Sequence, residues 1–149
     1  MYEFEVRAHS AASAEDVWAV LVDSLHWPDW TPLPIPTMTR QGHPAPFGLG
    51  AVRCFRFGPA TAEEEVVLWD PPHRYGYTVR RMPVRGYQAE VTLEPDGGGT
   101  AIAWKAQFER CTVPGFSRPF RWSVKTALSR FARNLARHAE QLSGKAQPW

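Results

Sequence analysis

Charged residues stand in step with aromatic ones in the middle of this 149-residue chain. Arg53 alternates with Phe55 and Phe57, Glu65 lies an even number of residues before Trp69, and Arg81 continues the alternation of Tyr75, Tyr77 and Val79. In an extended chain, residues two apart share a face. Strand parity therefore gathers Arg53, Glu65 and Arg81 on the face that carries the rings. A Glu65 carboxyl buried beside Trp69 would have its pKa raised by desolvation and lowered again by a neighbouring Arg53 guanidinium. Such a pair could anchor a ligand carbonyl or carboxylate, or polarise a ketone while a proton leaves the adjacent carbon. A one-residue bulge would instead turn both to the solvated outer face. Arg53 and Glu65 are the candidates for catalysis. The hydroxyls of Tyr77 and Tyr87 suit a milder part, as orienting donors to a ligand oxygen.

The other reactive residue types form no constellation. His9, His26, His43, His73 and His138 are scattered with no HxxxH or His-x-His spacing, so no metal site is expected. His43 lies in a proline-rich loop where it could gate a pocket, and His138 falls on an apolar helical stripe as a packed residue. Cys54 and Cys111 form no CxxC and no Cys-His pattern, which argues for a reducing compartment and against a disulfide or zinc framework. GxSxG, P-loop and GxGxxG motifs are absent, so hydrolase, nucleotide and dinucleotide chemistry have no support and no cofactor is expected.

Several elements must position the candidates. Tyr2, Phe4, Val6 and Ala8 alternate with Glu3, Glu5 and Arg7 as a half-buried strand. Ser13-Ala-Glu-Asp16 opens a helix to about Asp23, and the Trp27-Pro-Asp-Trp30 turn breaks it into a second short helix. Six prolines between Pro28 and Pro46 leave room for an edge strand around Pro36 to Gln41 within a long connection. A meander follows: Ala51 to Phe57, Glu63 to Trp69, strands about Tyr75–Val79 and Tyr87–Leu93, then the Pro95-Asp-Gly-Gly-Gly99 turn and a strand from Thr100 to Phe108. From about Ser117 to Leu142, Phe120, Val124, Ala127, Leu128, Phe131, Leu135, Ala139 and Leu142 recur at helical steps, opposite Arg130, Arg133 and Arg137. That long helix needs a broad apolar surface to lie on, and a curved sheet wrapped around it supplies one. The class is α+β, one domain spanning 1–149.

A net charge of +2 with fifteen acidic residues is no nucleic-acid footprint. Glu3 and Glu5 stand where a signal peptide would be basic and apolar, and no run of 18 apolar residues occurs. A cytoplasmic protein without integral membrane association is expected. Arginine far outnumbers lysine, as in GC-rich bacterial genomes. The basic face of the last helix, with Trp122 near its start, is either a solvated stripe or a surface for an acidic partner.

The order of elements, with Ser13-Ala-Glu-Asp-Val-Trp18, Trp27-Pro-Asp-Trp30, Gly50-Ala-Val-Arg53, Val66-Val-Leu-Trp-Asp-Pro-Pro72, Tyr77, and Gly98-Gly-Thr100 followed by Trp104, resembles the polyketide cyclase/dehydrase group of the START-like (SRPBCC, Bet v 1-like) superfamily. The resemblance implies a helix-grip fold that holds a hydrophobic ligand in a tunnel between the sheet and the C-terminal helix. It carries over no catalytic motif. Inward-facing rings would then make Phe55, Phe57, Trp69, Tyr75, Tyr77, Tyr87, Trp104 and Phe108 the ligand-binding wall, roofed by Val124, Leu128 and Phe131. The same residues also read simply as core. Pockets lined in this way commonly measure roughly 300–1,000 Å³.

The leading expectation is a binding protein for a small hydrophobic molecule: a lipid, fatty acyl or polyketide-like compound. The alternative is a polyketide cyclase or dehydratase that positions a flexible chain and assists enolisation. A third is an accessory protein acting through its basic surface. An enzyme should hold a charged side chain with a partner deep in the cavity, whereas a carrier's wall can be wholly apolar.

Overall fold

The computed structural model describes residues 1–144. Strand β1 (Tyr2–Ser10) leads through helix α1 (Ala14–Val22) and a 3-10 helix (Ser24–Asp29) to the edge strand β2 (Thr37–Arg40). Then come β3 (Val52–Phe57), β4 (Ala60–Asp70), β5 (Arg74–Arg80), β6 (Val84–Arg85), β7 (Tyr87–Asp96), β8 (Gly99–Phe108), β9 (Arg110–Cys111) and the long helix α2 (Ser117–Ser143). Seven strands form one antiparallel sheet in the order β1-β8-β7-β5-β4-β3-β2, and β6 pairs with β9 in a separate two-stranded ribbon.

Local chemistry sets the element boundaries. The Ser13 hydroxyl accepts from the Asp16 amide at 3.2 Å and caps α1. Pro28 cannot donate to a regular helical ladder, and the chain there tightens into the 3-10 turn. Gly97 and Gly98 both have positive φ, 60° and 85°, as a two-residue hairpin between the paired Asp96 and Gly99 requires. The ribbon of β6 and β9 has two residues per strand, too few for any alternation to register.

Sheet closure is long-range. Tyr2 faces Phe108 and Ser10 faces Thr100 across β1 and β8, so the first strand waits for the last before it can pair. Helix α2 then lies across β1 and α1. The Ser10 hydroxyl donates to the Ala136 carbonyl at 2.8 Å, the Glu140 carboxylate accepts from the Ala11 amide at 2.8 Å, and the Asn134 amide donates to the Trp30 carbonyl at 3.1 Å.

On α2 the buried residues are Leu128, Ala132, Leu135, Ala136 and Ala139. The apolar stripe ends one turn early, for Leu142 is 69% exposed, and His138 is half-buried. Small residues dominate the far half of the helix, where it sits close to β1. The larger Phe120, Val124 and Phe131 of the near half are only partly buried, and they leave a space beneath them.

Candidate functional site

Arg53 points inward from β3 and is 1% exposed. Its cross-strand partner on β4 is Glu64. The guanidinium donates from Nε at 3.0 Å and Nη2 at 2.8 Å to Glu64 Oε1, and from Nη1 to the Tyr75 hydroxyl. It lies 4.4 Å over the Trp27 ring, with Tyr75 and Tyr77 at 5.7 and 5.5 Å. Burial works against the Arg53 charge, but Tyr75 and Glu64 outweigh it and hold the guanidinium protonated above its ordinary range. Burial also pushes the Glu64 carboxyl up, with Arg53 pulling the other way.

Glu65, the carboxylate that strand parity pairs with Arg53, lies on the opposite face. It meets Arg80 at 2.9 Å and Arg40 at 3.3 Å. The reason is a bulge between Val66 and Leu68, where two β4 residues stand against Gly76 of β5. Counting back by twos from the inward-facing Trp69 crosses the bulge and shifts the parity by one. The inward residues before it are Ala62, Glu64 and Val66. Arg81 is also outside, its side chain 69% exposed and 3.4 Å from Glu63. Its φ of 64° ends the extended run of β5 and breaks the alternation that began at Tyr75.

Between the sheet and α2 is a cavity of about 230 Å³, below the roughly 300–1,000 Å³ common for pockets lined in this way. Its floor is made by Phe55 and Phe57 of β3, Ala62 and Glu64 of β4, Tyr77 and Val79 of β5, Tyr87 of β7 and Trp104 of β8. Phe120, Val124, Ala127, Leu128 and Phe131 of α2 form its roof. Trp27, Trp30, Thr31 and Leu33 close one end, and Met82 and Phe57, 37% and 45% exposed, stand at the mouth.

Eight of the residues expected in the wall and roof, Phe55, Phe57, Tyr77, Tyr87, Trp104, Val124, Leu128 and Phe131, thus line this space. Three do not. Trp69 and Tyr75 pack edge-on against Trp18 of α1, with centroids 5.1 and 5.9 Å away, so that helix fills their end of the sheet. Phe108 stacks on Tyr2 at 5.1 Å and is sealed by Phe120, also at 5.1 Å. Arg53 stands behind the wall, and of the pair only the Glu64 carboxylate reaches the surface of the cavity. Parity missed Glu64 because of the bulge. It missed Trp27 and Trp30 because their prolyl turn reads as chain punctuation, although two tryptophans flanking one turn are a signal of burial.

The hydroxyls of Tyr77 and Tyr87 sit in the same polar patch. Burial raises both phenol pKa values, and Glu64 adds to the effect on each, with Tyr87 also acting on Tyr77. At neutral pH they are donors. The Trp27 indole N–H is committed to the Leu21 carbonyl at 2.8 Å, that of Trp104 lies against the Tyr77 hydroxyl, and that of Trp30 is sealed within the packing. The arrangement is an apolar chamber with one carboxylate and two phenols in its wall.

A larger depression of about 530 Å³ lies on the other face of the sheet, among Glu3, Glu5, Val67, Leu68 and Lys105. No polar side chain lining it is buried, and it holds no ring cluster. Among the described residues no group of three metal-ligating side chains occurs, and no helix is long and apolar enough to cross a membrane.

Comparison with known proteins agrees with this architecture. An uncharacterized protein of Mycobacterium tuberculosis is 28% identical over 154 residues, covering 98% of this chain and 89% of that one. A Thermobifida fusca protein solved by NMR superposes with a TM-score of 0.76 at 25% identity, over 95% of each chain. Norcoclaurine synthase of Thalictrum flavum superposes with a TM-score of 0.74 at 18% identity, over 95% of this chain and 96% of that one, which bears on fold alone. The family model described as polyketide cyclase / dehydrase and lipid transport matches residues 1–140. With its seven-stranded antiparallel sheet packed against a long C-terminal helix, the chain belongs to that family.

Proposed function

We propose that this protein binds a small hydrophobic molecule, such as a lipid, fatty acyl or polyketide-like compound, in the cavity between sheet and α2, working as a single cytoplasmic domain. The observation that carries this reading is the wall of rings and α2 side chains around about 230 Å³ of space. The family's own description names both lipid transport and polyketide cyclisation, which fits such a chamber. Native mass spectrometry of the freshly purified protein, followed by organic extraction, tests it. A stoichiometric small molecule, or a 1:1 adduct formed from a panel of lipids and aromatic ketones, is the expected result. An apo mass that no member of the panel changes would overturn it.

One observation favours a second reading, a cyclase or dehydratase. Glu64 is a charged side chain at the cavity wall with a buried partner behind it. On this reading its carboxylate takes the proton from the carbon beside a ligand ketone. The C–H electron pair passes into the enolate, and the oxygen is met by phenol donors. Deuterium uptake at the α-carbon of bound 2-tetralone in D2O would be accelerated by the wild-type protein and not by E64Q. Equal rates with both proteins would leave binding as the function.

A further inference from the structure

We infer that the end of the molecule around the cavity mouth docks on an anionic membrane surface. The contact itself goes beyond the binding reading and rests on it only for what passes through the mouth. Three segments meet at this end. Phe57, at the turn between β3 and β4, and Met82, just after β5, both line the mouth. The Thr112 amide donates to the Pro83 carbonyl at 3.0 Å, which sets the segment between β9 and α2 beside Met82. That segment and the start of α2 carry Val113, Phe116 and Trp122, which are 48%, 58% and 71% exposed. Five of the eleven exposed large apolar side chains among the described residues therefore belong to one end of the fold, and they form a patch there instead of a scatter.

Charge is gathered at the same end. Residues 56–60, 80–86 and 109–125 contain eight basic residues and one acidic residue, Glu109, and leave nine basic and fourteen acidic residues to the rest of the chain. The net charge of +2 thus conceals a basic pole on an otherwise acidic molecule, and that pole turns toward a negative surface. Glu63 pairs with Arg80 and Arg81, but Arg56, Arg110, Arg118 and Lys125 are exposed and form no ion pair among the described residues. On α2, Arg118 and Lys125 stand four residues before and three after Trp122, so the indole and both cations leave the helix on one side. Cations beside exposed rings match the layers of a bilayer surface, with phosphates outside and the acyl boundary just beneath. An acidic protein would need a continuous complementary face of roughly 800 Å² per partner. Separate apolar side chains on three segments sink among lipid headgroups instead. Seated in this way the mouth opens onto the lipid, and a hydrophobic ligand passes between bilayer and cavity without crossing water.

Co-sedimentation with vesicles of phosphatidylcholine, alone or with about 30% phosphatidylglycerol, tests the contact. The expected result is binding that requires phosphatidylglycerol and is lost as NaCl rises from about 0.05 to about 0.5 M. Two double variants remove exposed side chains that lie outside the cavity wall. F116S/W122S should bind at least about tenfold more weakly for want of apolar contact, and R118Q/K125Q about tenfold more weakly for want of charge. Wild-type tryptophan emission shifts to shorter wavelength on the vesicles, and W122F loses that shift, a readout that needs no double variant to fold. Wild type that binds these vesicles but takes up no N-phenyl-1-naphthylamine in vesicle-free buffer would support the docking surface while the binding reading failed. No binding to either vesicle, or binding that F116S/W122S leaves unchanged, overturns the inference. So does capture of poly-L-glutamate in place of the vesicles, which would assign the pole to an acidic protein.

Discussion

Arg53 and Glu64 act as one group, and their energetics follow from that. Truncating one partner of a buried pair leaves the other charge without compensation, a loss of ~3–5 kcal/mol, whereas replacing both by apolar side chains is often neutral. With Arg53 1% exposed and the Glu64 side chain 13% exposed, this pair is in that regime. Urea denaturation should find E64L destabilised by ~3–5 kcal/mol and R53M/E64L restored to within ~1–2 kcal/mol of wild type. A double variant as unstable as the sum of the single ones would contradict it. The tyrosines beside the pair give a pH signature. Burial raises the phenols of Tyr75, Tyr77 and Tyr87 above their ordinary value of 10.0 in the folded chain. The unfolded chain therefore releases those protons first. Their contribution to stability is full below about pH 10 and is lost as pH climbs toward the folded values. Phenolate absorbance near 295 nm from these three should appear only together with loss of the near-ultraviolet dichroism. Ionisation near pH 10 with the dichroism intact would show them to be solvated.

The β4 bulge decides which carboxylate meets Arg53. Val67 is the extra residue opposite Gly76, and Gly76 has no side chain because a Cβ there would lie 2.9 Å from Leu68 Cβ. Deleting Val67 should leave Val66 facing in and Leu68 facing out, with a cooperative melt and a cost within ~1–3 kcal/mol. Deleting Glu65 moves Ala62 and Glu64 to the outer face, and the cooperative melt should disappear. A Glu65 deletion that melts like wild type would show that the pairing does not fix the strand. The same bulge marks the limit of what can be read from sequence. Period-two patterns in β1, β3, β5, β7 and β8 and the helical period of α2 were legible because each element keeps one phase throughout. Glu64 was not, since one unpaired residue inverts parity without altering composition. Arg81 was misread for a related reason, a left-handed residue at the end of a strand. The packing of Trp69 and Tyr75 under α1 depends on where that helix lands, which no local pattern encodes.

The cavity is a property of the whole molecule. Strands β1 and β8 close the sheet over a separation of about a hundred residues, and α2 is fixed at its far half by small residues and by the bonds to Ser10 and Ala11. Its near half carries Phe120, Val124 and Phe131, which span the gap to the sheet without filling it. Alanine at 127 lies in that roof, so a larger side chain there occupies the space from within. Fluorescence titration of wild type and A127F with the neutral probe N-phenyl-1-naphthylamine tests the cavity as the ligand site most directly, with a cooperative melt showing that the variant is folded. The account predicts saturable 1:1 enhancement with the wild type, and affinity reduced at least about tenfold in A127F, the equivalent of losing ~1.4 kcal/mol of contact. Equal binding by both proteins would place the ligand elsewhere, and no binding by either would contradict the cavity as a site at all.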